Sequence, residues 1–445
     1  MGEIAFAARP LLYPPPKTGE EKKETKRKDK IIGKGKHMSG QFRPSRRAML
    51  RVGLAGAAAV ASPAILRLTA EAQSGPIKIG MPMALTGPLG TVGQQTKRGA
   101  ELYAKLQNAK GGIVGRPIEL LIEDTAGNPA NCVRKAQEMV ERHNCRLFTG
   151  ITLSSEALAV VPKLAEWDSI FISGINGDGR LTAESFVPNF FRANISGPMG
   201  TRAVSLYLKT AKLEKFYALG LDYAWGHNSV SVFENEVKKS RKEFLGKVFA
   251  PTGTKDYSTY IAKIRQSGAD AVFMVMQGDD NNAFLSQSRQ YRLPEKVKLL
   301  TEIVDLASIR AVGDASLGLI GSSRYSFTYD HPLNNEFVEL WKKEHNTVPD
   351  TFEGEQWQCM KVFEAGITKA GGIEAGKLKP ALEDIEIESV KGKVFMRKCD
   401  HQGVQQGFMV EVVKKPGFDT PIPQVIATFP GESTTPKCNT MTFED

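Results

Sequence analysis

Short apolar runs alternate along this chain with segments whose apolar residues recur at helical spacing. The first runs lie at 77–81, 118–122, 146–149 and 169–173, and each has the length of a buried strand. The series restarts in the second half of the chain, with runs at 216–219, 271–276 and 299–301. Strands that alternate with helices form parallel sheets with crossover helices. The pattern therefore predicts an α/β fold with two doubly wound lobes.

The loops after these strands are the predicted ligand site, because ligands of open parallel sheets bind beyond the carboxyl ends of the strands. The loops in question are 82–93, 150–156, 174–181, 220–228, 277–282 and 301–306. In the second of them, Ser154 and Ser155 lie between a strand and the start of a helix. Hydroxyls and free backbone amides at such a position suit a carboxylate, and a plain helix cap is the alternative.

Three further residues in these loops are candidate ligand contacts. Trp225 follows the first strand of the second series, where its ring could cover an apolar ligand face or pack between the lobes. Gln277 and Glu302 follow later strands and could supply acceptors for an ammonium group. The alternative for Glu302 is a solvated loop carboxylate.

The charge of the chain is concentrated at its start. Residues 1–73 contain 15 basic and 6 acidic residues of the 59 and 49 in the whole chain, so the formal net charge of +10 falls almost entirely there. A nucleic-acid-binding protein keeps its basic patch in the folded body. We therefore predict no nucleic-acid partner.

Residues 1–73 are predicted to be a disordered leader followed by an export signal. Arg46 and Arg47 precede an apolar run at 52–66, and the small residues of 70–72 have the spacing of a signal peptidase site. Paired arginines before a weakly apolar run resemble a twin-arginine signal, which predicts a periplasmic protein. A membrane anchor is the alternative, but the run is shorter than the roughly 20 residues that span a bilayer.

The cysteines predict one disulfide, which export to an oxidising compartment permits. Cys132 and Cys145 lie at opposite ends of a predicted helix, at a separation of about 20 Å that is too large for a disulfide. Cys399 and Cys438 are the better pair, since their disulfide would fix the C-terminal tail to the last strands.

Motifs of catalysis, metal binding and cofactor binding are missing from the sequence. It contains no nucleophile elbow, zinc-protease motif or P-loop, and Pro82 interrupts the loop where a dinucleotide fingerprint would lie. No cysteine or histidine cluster has metal-ligand spacing. We therefore predict a protein that is not an enzyme and has neither a metal nor a cofactor.

Several short motifs in order along the chain resemble one family. They are Ile77–Gly80, Leu85–Pro88, Asn108–Ile113, Asp222–Gly226, Thr254–Ser258 and Asp400–Gln402. Together they resemble the periplasmic solute-binding proteins of ABC transporters, of the branched-chain-amino-acid (leucine/isoleucine/valine) type. The resemblance covers about residues 76–412.

This resemblance implies a type I periplasmic binding protein fold, whose two lobes are joined by three crossovers near 193–198, 322–328 and 388–394. It implies a first lobe of 74–195 and 325–390, a second lobe of 196–324 and 391–430, and a C-terminal tail of 431–445. It also implies a monomer that delivers its ligand to an inner-membrane ABC permease.

The resemblance also implies the ligand contacts, which are Ser154, Ser155, Ile175, Gly177, Trp225, Gln277, Glu302 and Phe352. Ser154 matches a serine that holds the ligand carboxylate, and Trp225 matches an aromatic residue that packs on the ligand. Gln277 and Glu302 fall near positions that hold an α-ammonium group. Phe352 falls near a position of the side-chain pocket.

Two departures from the family pattern bear on the ligand. Gly177 stands where amino-acid binders have a threonine, and Gln277 replaces a tyrosine. An amino acid or a related small carboxylate is the first prediction, and an amide or an aromatic carboxylate is the alternative. A ligand sensor of the same fold that serves a receptor or regulator is a second alternative function, and a secreted hydrolase is disfavoured by the missing motifs.

Overall fold

The computed structural model describes residues 75–444, so the predicted leader and export signal lie outside the described residues. Its first sheet is parallel, with the spatial order β2-β1-β3-β4-β5. The strands are β1 (Ile77–Met83), β2 (Ile118–Asp124), β3 (Leu147–Phe148), β4 (Ile170–Ser173) and β5 (Phe190–Arg192). The helices between them are α1 (Gly90–Ala109), α2 (Pro129–His143) and α3 (Ser154–Val160).

The ends of α2 show how local sequence sets these elements. Asn128 caps its N-terminus by accepting a hydrogen bond from the backbone N–H of Asn131, and Pro129 occupies the first turn. Pro has no N–H group, which is harmless where the helix leaves that donor unpaired. Asn144 ends the helix in the left-handed conformation that asparagine tolerates.

After β5 the chain crosses to a second sheet, beginning with α4 (Gly197–Leu208). The strands that follow are β6 (Lys215–Leu221), β7 (Glu243–Ala250), β8 (Ala271–Val275), β9 (Lys298–Thr301) and β10 (Ile320–Ser323). They alternate with α5 (Ala224–Lys239), α6 (Ser258–Gln266), α7 (Gly278–Gln290) and α8 (Leu306–Val312).

A second crossover after β10 returns the chain to the first lobe, where it forms α9 (Pro332–His345), α10 (Thr351–Ala370) and α11 (Ala375–Leu382). A small antiparallel sheet follows, made of β11 (Glu386–Ser389), β12 (Gly392–Met396) and β13 (Gly403–Gln405). The chain then enters the second sheet as β14 (Gly407–Val413) and β15 (Ile422–Phe429) and ends in α12 (Gly431–Thr434). The second sheet has the order β15-β14-β10-β9-β8-β6-β7.

The predicted α/β fold of two doubly wound lobes joined by three crossovers is confirmed. The position of the third crossover differs from the prediction of 388–394. Met396 of β12 is buried in the same apolar cluster as Ile79 and Trp341 of the first lobe. The backbone N–H of Arg192 in β5 also donates to the carbonyl of His401, just before β13. Residues 391–405 therefore lie with the first lobe, because β12 pairs with β11, and the crossover lies between Gln405 and Gly407.

The C-terminal tail (431–445) contacts both lobes. A disulfide joins Cys438 to Cys399 in the loop before β13, with Cα atoms 5.9 Å apart. Further along, the ring of Phe443 packs against Arg202 of α4 in the second lobe, with the guanidinium carbon 5.0 Å from the ring centroid. Arg202 is itself ion-paired with Glu236 of α5. The tail therefore runs from an anchor on the first lobe to a contact on the second.

No helix within residues 75–444 has both the length and the apolar character required to cross a membrane.

Candidate ligand-binding site

A cavity of about 30 Å³ lies between the two lobes, at the carboxyl ends of the strands. The first lobe contributes Leu89, Val92, Thr152, Ser154, Ile175 and Gly177 to its lining. The rest of the lining is Tyr223, Trp225, Gln277 and Ile303 from the second lobe, Arg324 from the second crossover and Phe352 from α10. This volume is far below the roughly 300–1,000 Å³ of ligand pockets. The lobes therefore have to separate from this closed arrangement to admit a ligand.

Six of the eight predicted contacts line this cavity, namely Ser154, Ile175, Gly177, Trp225, Gln277 and Phe352. The other two do not. Ser155 is half-buried on the neighbouring turn, and Glu302 is fully buried behind the wall. Residues from distant parts of the chain thus meet at the carboxyl ends of the strands, where the sequence predicted the ligand site.

Ser154 is held in place by the loop after β4. Its Oγ accepts hydrogen bonds from the backbone N–H groups of Gly177 (3.2 Å) and Asp178 (3.1 Å). Both bonds use the oxygen as an acceptor, so the hydroxyl proton is left to donate to another group. Ser154 is the first residue of α3 and Leu153 is the N-cap, so the alternative of a plain serine cap does not apply to Ser154.

Gly177 is required by two side chains that approach its Cα. A Cβ atom at this position would lie 2.7 Å from Nη2 of Arg324 and 2.7 Å from Nε1 of Trp225. Contacts this short do not occur in folded proteins without a shift of the neighbours. The threonine of the family pattern therefore does not fit here, and the space is taken by a guanidinium and an indole.

Arg324 is a lining residue that the sequence reasoning missed. It follows β10 at the second crossover and is only 1% exposed. Its Nη1 donates to the carbonyl of Ile175 (2.5 Å), and its Nη2 lies 3.4 Å from each carboxylate oxygen of Glu302. Arg324 directly follows β10, so it would have been a candidate if 320–323 had been recognised as a strand. The sequence pattern did not predict a strand there.

Glu302 faces Arg324 from the end of β9. Its backbone N–H donates to the carbonyl of Met274 (3.0 Å), and its side chain is 0% exposed. Burial raises the pKa of Glu302 to about 7, and the charge of Arg324 partly opposes that rise. Glu302 is thus paired with Arg324 and, unlike the other predicted ammonium contact Gln277, does not line the cavity.

Three polar atoms of the cavity wall lack a hydrogen-bond partner among the described residues. They are Nε1 of Trp225, Nε of Arg324 and Oε1 of Gln277. The other end of the Gln277 amide donates to the carbonyl of Ile303 (3.3 Å), which fixes its orientation. A buried polar group without a partner costs about 1–3 kcal/mol. The wall thus presents a free donor of Arg324 and a free acceptor of Gln277, whereas the Trp225 indole interacts with the Glu302 carboxylate and partly opposes the rise in its pKa.

The remaining wall is apolar and aromatic. Leu89, Val92, Ile175 and Phe352 are buried in one cluster with Trp225. Tyr223 also belongs to the wall, and burial raises the pKa of its hydroxyl above its usual range, so this residue is neutral. A ligand in this cavity contacts mostly apolar surface.

Hydrogen bonds between the lobes close the cleft around the cavity. The N–H of Asp279 in α7 donates to the carbonyl of Pro88 (3.2 Å), and the N–H of Gly179 donates to Oδ1 of Asn228 (2.9 Å). The carboxylate of Asp350, the N-cap of α10, accepts from the N–H groups of Leu306 and Ala307 in the second lobe, both at 2.7 Å. The structure is therefore that of a closed cleft.

One group in the described part of the chain has donor atoms close enough together to hold a metal ion: Cys399, Asp400 and Cys438. Its two sulfur atoms are joined in the disulfide, so neither is a thiolate. This group does not fit a metal.

Comparisons with known proteins agree with this architecture. A family described as periplasmic binding protein matches residues 76–417, which span the first sheet and every strand of the second except β15. Leu/Ile/Val-binding protein homolog 6 of Brucella suis biovar 1 is 24% identical over 352 residues, which cover 76% of this chain and 88% of that protein.

Solved structures of similar proteins share the fold. An ABC transporter substrate-binding protein from Sphaerobacter thermophilus has a TM-score of 0.74 and 29% identity, over 80% of this chain and 98% of that one. A solute-binding protein of an ABC transporter from Rhodopseudomonas palustris BisB5, in complex with 3,4-dihydroxybenzoic acid, has a TM-score of 0.75 and 22% identity over the same shares.

Proposed function

The chain belongs to the periplasmic binding protein family, and from this we propose that it binds a small carboxylated solute between its lobes and delivers it to an ABC permease. The observation that carries the proposal is the set of free hydrogen-bond donors in a closed cavity between the lobes. These are the Ser154 hydroxyl and the guanidinium of Arg324. Donors that include a charged group suit a carboxylate, because charge-assisted hydrogen bonds are about twice as strong as neutral ones.

Two ligand classes are supported by different observations. The name of the Brucella suis relative favours a branched-chain amino acid. The apolar and aromatic wall around Trp225 and Phe352 favours an aromatic carboxylate, and the Rhodopseudomonas palustris neighbour holds one. Both classes share the carboxylate on which the proposal rests.

We further propose that the protein reaches the periplasm through its paired arginines, acts there as a monomer and catalyses no reaction. The paired Arg46 and Arg47 and the apolar run after them support the export route. The cavity wall supports a binding role, since its lining has no pair of acidic and basic groups placed for proton transfer within the described residues.

A thermal-shift screen tests the function. Purified protein is heated with amino acids, their amides, and aliphatic and aromatic carboxylates, and the hits are titrated by calorimetry. A ligand at 100 times its Kd adds about 2.7 kcal/mol to the free energy of unfolding, so at least one carboxylate is expected to raise the midpoint clearly. Stabilisation by neutral solutes such as sugars, with no effect of any carboxylate, would contradict the proposal.

A further inference from the structure

The cavity wall carries one full charge within the described residues, and it is positive. Arg324 is the charged residue of the lining, and the other polar side chains there are those of Thr152, Ser154, Tyr223 and Gln277. A ligand carboxylate would have the guanidinium as its counter-ion. A ligand ammonium would have no carboxylate facing it.

The acid nearest to this wall is engaged elsewhere. Both carboxylate oxygens of Glu302 lie 3.4 Å from Nη2 of Arg324, and Glu302 does not line the cavity. Placing an ammonium group in a buried site without a counter-charge is costly. Glu302 therefore orients Arg324 and does not serve a ligand.

The absence of a side chain at Gly177 leaves room for Arg324 in the cavity wall. Nη2 of Arg324 and Nε1 of Trp225 occupy the volume that a side chain at position 177 would fill. The neutral amide oxygen of Gln277 is the free acceptor of the wall. It suits an uncharged donor such as a hydroxyl better than an ammonium, which needs a compensating charge.

We propose that the site selects carboxylates that have an apolar body and no ammonium group, and that Arg324 is the residue that sets this choice. The proposal rests on the proposed function, because it concerns the ligand class of the same cavity. The carboxylate binds Arg324 together with the Ser154 hydroxyl, and the apolar body packs against the wall, which includes the Trp225 ring. Among such ligands, a hydroxylated body can also donate to Gln277.

Matched ligand pairs test the selectivity directly. L-leucine is compared with 4-methylpentanoate and L-phenylalanine with 3-phenylpropanoate, since the members of each pair differ by the α-ammonium group. Calorimetric titration of the wild-type protein is expected to show at least tenfold tighter binding of the acid without the ammonium group. Equal or tighter binding of the amino acids would overturn the inference while leaving the proposed function standing. If no member of the screen binds, the proposed function fails.

Variants test the assignment to Arg324. Because Arg324→Gln alone leaves Glu302 buried without its partner, the informative variant is the double change Arg324→Gln with Glu302→Gln. It is expected to weaken carboxylate binding by 10- to 100-fold and to abolish the preference within each pair.

The matched control is Arg202→Gln with Glu236→Gln, which removes another buried arginine–glutamate pair, away from the cavity. This control is expected to leave the preference within each ligand pair unchanged, and only the preference is compared, because Arg202 also contacts Phe443 of the tail. An unchanged preference in the Arg324 double variant would assign the selectivity to other residues and overturn this part of the inference.

Discussion

At the scale of single residues, Ser154 connects the two loops that line one wall of the cavity. Its oxygen accepts from Gly177 and Asp178, and its proton is free for a ligand. Ser154→Ala is expected to weaken the binding of a carboxylate by about one to two orders of magnitude, since one charge-assisted hydrogen bond contributes about 1.5–3 kcal/mol. Calorimetric titration measures this loss.

Ser155→Ala is the matched control for this variant, because the neighbouring serine does not line the cavity. It is expected to bind as the wild type does. Ser154→Ala is also expected to lower the free energy of unfolding by about 1–3 kcal/mol, because two buried N–H groups lose their acceptor. A stability loss without a loss of affinity would show that Ser154 only supports the loop.

The sequence could predict where lining residues lie but not which groups they face. Ser154, Trp225 and Gln277 were found because each follows a strand that the apolar pattern reveals. Glu302 was found in the same way, yet its partner Arg324 was not, because Arg324 comes after β10 in a stretch with no clear strand pattern. The position of a residue at a strand end can be predicted from the apolar pattern. The ion pair of Glu302 with Arg324 cannot, because it depends on how the second crossover packs against β9.

At the scale of secondary-structure elements, the contact between α8 and α10 joins the lobes through two carboxyl groups. Asp350 caps α10 and accepts hydrogen bonds from the start of α8, and Asp305 caps α8 by accepting from Ser308 (2.8 Å). Burial, together with the charge of Asp350, raises the pKa of Asp305. Oδ2 of Asp305 has no hydrogen-bond partner among the described residues.

Asp305→Asn is expected to stabilise the protein above pH 5 and to have little effect at pH 4. A carboxyl with a raised pKa in the folded state favours folding least at high pH, because the unfolded chain ionises first, near pH 4. Asparagine keeps the cap and removes this penalty, with an expected gain on the order of 1 kcal/mol or more at pH 8. Denaturant unfolding of the wild type and the variant at pH 4 and pH 8 measures this gain. An equal change in the free energy of unfolding at both pH values would contradict a raised pKa of Asp305.

Several of the elements that the sequence missed have irregular burial. β7 lies at the edge of the second sheet and only its last residue is buried, so it has no apolar run to recognise. β11 to β13 are short antiparallel strands with mixed burial, and their hairpins depend on pairing partners. For this reason 391–405 was assigned to the wrong lobe. The buried parallel strands were predicted near their observed positions, with the exception of β5 and β10.

At the scale of the whole molecule, the closed cleft implies that ligand exchange requires the lobes to separate. A ligand shifts this equilibrium only if it binds one state more tightly than the other. Ser154 and Trp225 lie on opposite lobes, so a ligand that contacts both favours the closed state. Small-angle scattering is expected to show a smaller radius of gyration with saturating ligand than without. Identical curves would contradict ligand-driven closure.

The C-terminal tail also bears on this motion, because it is a short tether between the lobes. Four residues lie between Cys438 and Phe443, and the five residue steps that join these two positions reach at most about 18 Å when extended. This short link keeps the Phe443 ring close to Arg202, at a high effective concentration. The ring can therefore rebind Arg202 quickly whenever the contact breaks. While Phe443 remains docked, the disulfide therefore limits how far the lobes separate at this edge, and its reduction removes that limit.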